Sequence, residues 1–250
     1  IRWILGQVAK MTSVDSGLEI SRTDFDAFAR PSQSWSFGRL DSTTEYDVDG
    51  TVSRYVDANG NATRLSSWKR GSPQLIQFAD GASVQATVDD HGWLRSVTDE
   101  NGFTTSYDYD IMGRISGINQ PSGDSVAWSP TNISLEYMQA TENGIPAGHW
   151  RRSVTTGDAR SETYLDALFR PVLTHAFDAR NVAGTQSFVR SVLDHEGRTL
   201  FTSYPHASLP AATGTWQEFD ALGRLVATSQ DSELGLLTSY VSYSGGNSVR

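Results

Sequence analysis

The sequence predicts an all-β protein of tandem antiparallel β-hairpins, and three observations carry that prediction. Two interleaved glycine series run at a constant interval of 21 residues: Gly50, Gly71, Gly92 and Gly113, and then Gly60, Gly81, Gly102 and Gly123. Between the glycines, side-chain character alternates with period two, the signature of a strand. No long stretch places apolar residues at i, i+3, i+4 and i+7, so helices are scarce. The array implies about twenty strands, and open twisted sheets rarely pass about ten without curling. The expected form is therefore a curved sheet.

The turns come first in the reasoning. Asn59-Gly60, Asp80-Gly81 and Asn101-Gly102 are dipeptides suited to positive φ at both central residues, which predicts type I′ hairpin turns. Ser122-Gly123 is a weaker version. Asp49-Gly50 and His91-Gly92 mark the turns at the other end of each strand. Between turns, Val84, Ala86 and Val88 oppose Ser83, Gln85 and Thr87, while Thr105, Tyr107 and Tyr109 oppose Thr104, Ser106 and Asp108. Each repeat is thus two short antiparallel strands.

Other columns share the register. Asp26, Asp47, Asp89 and Asp110 stand three residues before the first-series glycine position, and Trp68 replaces Asp in the intervening repeat. The preceding column reads Phe25, Tyr46, Ser67, Val88 and Tyr109. The chain 1–250 is read as one sheet segment with regular repeats over about 24–128. An irregular insertion or long loop is expected over about 129–160. Longer-period repeats follow over about 161–245, where Asp166, Asp194 and Asp220 each precede an Arg by four residues. The best helix candidate, a weak one, is Asn132–Ala140.

Bulk properties narrow the function. Lys plus Arg is 20 against 29 for Asp plus Glu, a net charge of -9 that repels phosphate backbones, so no nucleic-acid partner is expected. The absence of Cys removes disulfides, thiol nucleophiles and thiolate-bound zinc. No apolar run approaches the ~18 residues of a membrane span. The apolar opening, Ile1 to Lys10, is too short for a signal peptide and lacks its charge order. Patterned sequence at both ends suggests a piece of a longer protein.

Tyr109-Asp110-Ile111-Met112-Gly113-Arg114 and Phe219-Asp220-Ala221-Leu222-Gly223-Arg224 are aromatic-Asp-x-x-Gly-Arg strings. Repeated at about 21 residues over roughly 24–128 and 160–245, they resemble the YD repeat of the Rhs family. The resemblance implies a β-sheet spiralling into a hollow shell. In bacterial Rhs proteins and the B and C components of insecticidal toxin complexes, that shell encloses a C-terminal toxin. In teneurins a similar shell sits outside the cell. The implied partners are the rest of the shell and an enclosed toxin domain, and the implied location is secreted or cell-surface, with bacterial export. Bacterial members also carry a self-cleaving core region whose signature is absent here, so self-cleavage is not expected of this chain.

The residues suggest little chemistry of their own. The repeat Asp is expected to cap its turn or pair with the Arg four residues on, an interaction worth ~0–1 kcal/mol if exposed. Asp57-Ala58-Asn59-Gly60-Asn61 and Asp47-Val48-Asp49-Gly50 slightly resemble calcium loops but lack the late bidentate Glu, which favours hairpin turns. The histidines, 91, 149, 175, 195 and 206, form no HxxxH or HExxH pair. There is no GxSxG elbow, and Gly245-Gly246 lacks the Lys of a phosphate loop. No catalytic residue, metal or cofactor is expected. The one string singled out for contact with cargo or ligand is His149, Trp150, Arg151 and Arg152, where two Arg beside Trp could bind an anion, a sugar or the cargo. The bland alternative is a loop whose Trp packs on the sheet and whose Arg faces water.

Two functions follow. The preferred one is a structural scaffold, part of a shell that encloses a toxin or effector, with no catalysis by this segment. The alternative is a module binding carbohydrate or a cell-surface receptor, with Trp35, Trp68, Trp93, Trp128 and Trp216 as candidate stacking faces; the bland reading has those rings plug the sheet.

Overall fold

The computed structural model describes residues 7–123, 125–244 and 247–249. Residues 1–6 of the apolar opening and the Gly245-Gly246 pair lie outside the described residues. The chain divides into two compact units, Ile1–Gly113 with Asn119–Trp128, and Arg114–Ile118 with Ser129–Arg250.

The first unit holds β1 (Lys10–Thr12), β2 (Glu19–Phe25), β3 (Pro31–Ser36), β4 (Arg39–Tyr46), β5 (Val52–Asp57), β6 (Ala62–Ser66), β7 (Leu75–Gln77), β8 (Ser83–Val88), β9 (Leu94–Thr98) and β10 (Thr104–Tyr109). Each pairs antiparallel with the next in sequence. The second unit repeats the scheme. Its strands are β11 (Ile115–Asn119), β12 (Thr131–Met138), β13 (His149–Thr156), β14 (Ala159–Leu165), β15 (Pro171–Asp178), β16 (Ser187–Leu193), β17 (Thr199–Ser203), β18 (Gly214–Phe219), β19 (Leu225–Ser232) and β20 (Gly235–Tyr240). These also pair consecutively. One helical turn, α1 (Val182–Thr185), links β15 to β16, and β21 (Ser242–Ser244) with β22 (Asn247–Val249) forms a separate hairpin. The expected all-β antiparallel class is what the chain adopts.

The segment 129–160 is not a long loop. β12 pairs all eight of its residues with β13, and the irregular part is confined to the connection 139–148. Asn132–Ala140 is accordingly strand rather than helix up to Met138. Its alternation of Ile133, Leu135 and Tyr137 suits cross-strand pairing, which overrides weak local propensity.

The turn type also differs from expectation. In the Asp57–Asn61 loop the Gly60 amide donates to the Asp57 carbonyl at 3.1 Å, and the Asp57 amide donates to the Asn61 carbonyl at 3.0 Å. Only Gly60, Gly81 and Gly102 are left-handed; Asn59, Asp80 and Asn101 are not. This is a three-residue loop, a type I turn closed by a left-handed residue. Asp57 reinforces this loop. Its Oδ1 accepts the Asn59 and Asn61 amides at 2.9 and 2.8 Å, holding the loop in an Asx turn. The same bonds recur at Asp26, Asp47, Asp89, Asp99, Asp166, Asp194 and Asp220. The Asp-x-x-Gly-x loop therefore occurs at both ends of the regular repeat, and Phe78–Ala82 closes the same backbone bonds with Phe in place of the Asp. Two-residue turns with both central residues left-handed occur elsewhere, at Phe37-Gly38, Arg70-Gly71 and Asn143-Gly144.

Among the described residues, Val88 is the one buried apolar side chain of the first unit. The second unit buries Tyr164, Leu173, Phe188, Phe201, Ala211 and Ala227. A sheet with so few buried side chains has no second layer across most of its extent. Its cohesion comes from backbone ladders and from side-chain pairs between neighbouring strands.

Candidate functional site

Two arrangements stand out: a contact that links successive repeats, and a polar cluster where the repeat breaks. The first is built by the fifth residue of the Asp-x-x-Gly-x loop. Arg30 donates from Nε to Asp26 Oδ2 at 2.7 Å, and its guanidinium lies 4.2 Å from the ring centroid of Tyr46 in the next repeat. The Tyr46 hydroxyl donates to the carbonyl of Pro31, the residue after that Arg, at 2.8 Å. Tyr109 does the same with the Leu94 carbonyl at 2.8 Å while lying under Arg95 at 5.2 Å. Tyr243 bonds the Leu225 carbonyl at 3.0 Å under Arg224 at 4.3 Å. Arg198 lies 5.0 Å from the Phe219 ring. At these four loops the aromatic and the Arg form one contact between neighbours, with Arg95 reaching it from two residues beyond the fifth position, which Trp93 holds.

Trp68, the residue that replaces Asp, performs the aromatic role. Its Nε1 donates to the Val52 carbonyl at 3.1 Å. The chain at this point runs into the tighter Arg70-Gly71 turn, and Ser67 takes φ +55. The ring therefore shifts by one position and the hydrogen bond survives, with Thr51 in place of the Arg.

These loops hold their carboxylates ionised. The Thr51 hydroxyl, 2.6 Å from Asp47 Oδ2, and the loop amides keep the Asp47 carboxyl below the usual carboxylate range. Asn61 does this for Asp57 through its side chain and amide. At Asp194 burial pushes the other way and is outweighed by the Arg198 guanidinium and amide. The calcium-like strings are thus turn anchors whose oxygens face their own loop.

The second arrangement contains the string singled out from the sequence. His149, Trp150, Arg151 and Arg152 lie on β13, not in a loop, so period two splits them between two faces. His149 is buried, and its Nδ1 bonds the Pro146 carbonyl at 2.8 Å while Nε2 stands 3.4 Å from Glu142 Oε2. Arg151, on the same face, does not point to water. It donates to Glu142 at 2.9 Å and to Glu136 at 3.0 Å. Burial pulls the Arg151 guanidinium down, but its Glu136 bond and the charges of Glu142 and Glu162 outweigh this and push it up. Trp150 is on the opposite face, stacked on Phe169 at 5.1 Å and edge-on to Tyr137 at 5.3 Å, and Arg152 is exposed beside it.

Sequence reasoning missed the partners. Tyr164 on β14 is fully buried, accepts from Asn143 Nδ2 at 2.8 Å and donates to Glu162 Oε2 at 2.8 Å. Burial and Glu162 drive its phenol far above the usual range, so it serves as a hydrogen-bond donor. His175 on β15 stacks on Phe188 with centroids 4.1 Å apart and places Nδ1 3.7 Å from Glu162 Oε2. Nothing local marks these residues, because they are gathered from three strands and a connection. The cluster ties the 139–148 connection down onto β13–β15, where Ile145 packs on Tyr164, Leu173 and Phe188.

Four of the five candidate Trp rings serve the sheet. Trp35 donates to Asp24 at 2.9 Å, Trp68 bonds Val52, Trp93 stacks on Tyr109 at 5.2 Å and Trp216 packs on Phe201 at 4.8 Å. Trp128 is 58% exposed. Among the described residues no helix is long and apolar enough to cross a membrane.

Comparison with known proteins agrees with this geometry. The RHS Repeat family model matches residues 88–125. Teneurin-4 of Mus musculus is 29% identical over 116 residues, covering 38% of this chain and 4% of that protein. Teneurin-3 of Mus musculus is 27% identical over 100 residues, again 4% of its length. The crystal structure of TcdB2-TccC3-Cdc42 superposes with a TM-score of 0.61 at 14% identity, over 95% of this chain and 15% of that one. The Photorhabdus luminescens Tc holotoxin pore gives 0.50 at 11%, over 92% and 16%. At such identities the structural likeness concerns the fold. The chain spans a small fraction of every relative named here.

Proposed function

We propose that this chain, which belongs to the Rhs/YD-repeat family, is a structural segment of a β-sheet shell that encloses a C-terminal toxin or effector domain. The observation that supports this most is the loop-to-loop contact. Arg30, Arg95, Arg198 and Arg224 are each held by the Asp of their own loop and lie against the ring of the next, so these repeats carry the means of adding another. A sheet stabilised in this way extends without a second layer, as a wall requires. The fold shared with TcdB2-TccC3 adds support. On this reading the regular and longer-period repeats form one wall segment, the segment performs no catalysis, its partners are the remaining shell and the enclosed domain, and the protein works outside the cell that makes it.

Protease challenge of the full-length protein tests the proposal. The C-terminal domain should remain intact while exposed loops are nicked. A domain digested as fast as one on an open linker would overturn it.

A second reading, carbohydrate binding, draws on one observation. Phe169 sits at φ +60, where six of the seven other Asp loops named above carry glycine, and Tyr137 and Phe169 are 54% and 53% exposed beside Trp150 and Arg152. A bulky residue in the left-handed region is strained, and strain gathers at functional positions. Phe169→Gly should keep the fold and abolish any glycan-array signal; an array without reproducible hits removes this reading.

A further inference from the structure

We propose that the cavity beneath the 143–146 turn is a binding site for a small apolar molecule carrying one anionic group. The inference does not rest on the shell reading. The cavity has a volume of about 400 Å3, within the range of small-molecule sites.

Two irregular segments of the second unit converge on it. The 139–148 connection contributes Ile145 and its turn, and the connection between β17 and β18 contributes Leu209. Both pack against the apolar cluster of Tyr164, Leu173 and Phe188. Two of the connections that depart from the Asp-x-x-Gly-x loop thus roof the same space. Leu173, Val192 and Leu209 give it apolar walls.

The cavity also has a cation without a carboxylate. Of its two arginines, Arg170 is held by Asp166 at 2.7 Å and by the Asp194 carbonyl at 3.3 Å. Arg190, opposite Leu173 across the β15–β16 ladder, lines the cavity, is exposed, and forms no ion pair among the described residues. A guanidinium beside apolar walls favours a charge-assisted bond to a carboxylate or sulfonate whose apolar body fills the cavity.

Fluorescence titration of the intact protein tests this with two probes of similar shape, anionic 8-anilinonaphthalene-1-sulfonate and neutral N-phenyl-1-naphthylamine. Saturable one-site binding of the sulfonate is expected. Ile145→Trp or Val192→Trp, each filling the cavity, should weaken both probes about tenfold or more. Arg190→Gln should weaken the sulfonate about tenfold and leave the neutral probe unchanged, the loss of one hydrogen bond to a charged group. Far-UV circular dichroism identifies any variant that does not fold, and the other two then carry the test. Folded tryptophan variants that bind the sulfonate as before, or an Arg190→Gln protein with undiminished sulfonate affinity, would overturn the proposal.

Discussion

Tyr46 covers the guanidinium of Arg30 at 4.2 Å and bonds the carbonyl of Pro31, the residue that follows it. The hydroxyl and the ring act separately. Tyr46→Phe should cost about 0.5–1.5 kcal/mol, one hydrogen bond. Arg30→Gln loses the cation over the ring and a partly buried ion pair, and should cost about 0.5–2 kcal/mol. Urea unfolding of each variant, and of the double variant to measure coupling, checks both figures.

Gly113 needs both a left-handed backbone and space. Its φ is +79, and an added Cβ would stand 2.9 Å from Trp93 Cζ2. Gly60, at φ +88, has nothing within 4 Å of that position. Gly60→Ala should therefore cost only the conformational penalty, about 1–2 kcal/mol, and Gly113→Ala about 1–3 kcal/mol more through overpacking. Thermal melts of the two variants give the comparison.

Acid should weaken the loops in a defined window. The Asp57 carboxyl is held below its usual range by Asn61 and the loop amides. A group whose folded pKa is depressed contributes fully above the unfolded value, about 3.9, and loses its contribution as pH falls through the folded value. The stability difference between wild type and Asp57→Asn should stay constant from pH 7 to about pH 5 and close below about pH 4. Denaturant melts across that range would show it; a difference that grows on acidification would contradict the assignment.

Adjacent arginines on β13 should behave differently. Arg151 joins Glu136 and Glu142, so Arg151→Met leaves the half-buried Glu142 and the exposed Glu136 without their cation and should cost about 1–3 kcal/mol. Arg152 is exposed on the other face, and Arg152→Met should change stability by less than about 0.5 kcal/mol. Equal effects from both would show that β13 is not oriented as described.

The sequence by itself determined the repeat, the strand class and the positions of the turns. Gly, Asp and alternating side chains act within a few residues of themselves, and a loop such as Asp57–Asn61 closes on its own bonds. The turn type escaped that reading, because Asn-Gly is compatible with two loops; an Asp two residues upstream reinforces the three-residue one, yet Phe78–Ala82 adopts it without that Asp. Segment 129–160 was misread as irregular because β12 and β13 declare themselves only by pairing with each other. His149 and Arg151 were grouped with Trp150 and Arg152 by adjacency, but alternation along a strand separates neighbours. Only the tertiary structure could place Glu142, Glu162, Tyr164 and His175 around them, since those contacts form across strands. The same holds for Arg30 and Tyr46, whose columns are visible in the sequence but whose contact depends on the loop bringing one repeat against the next.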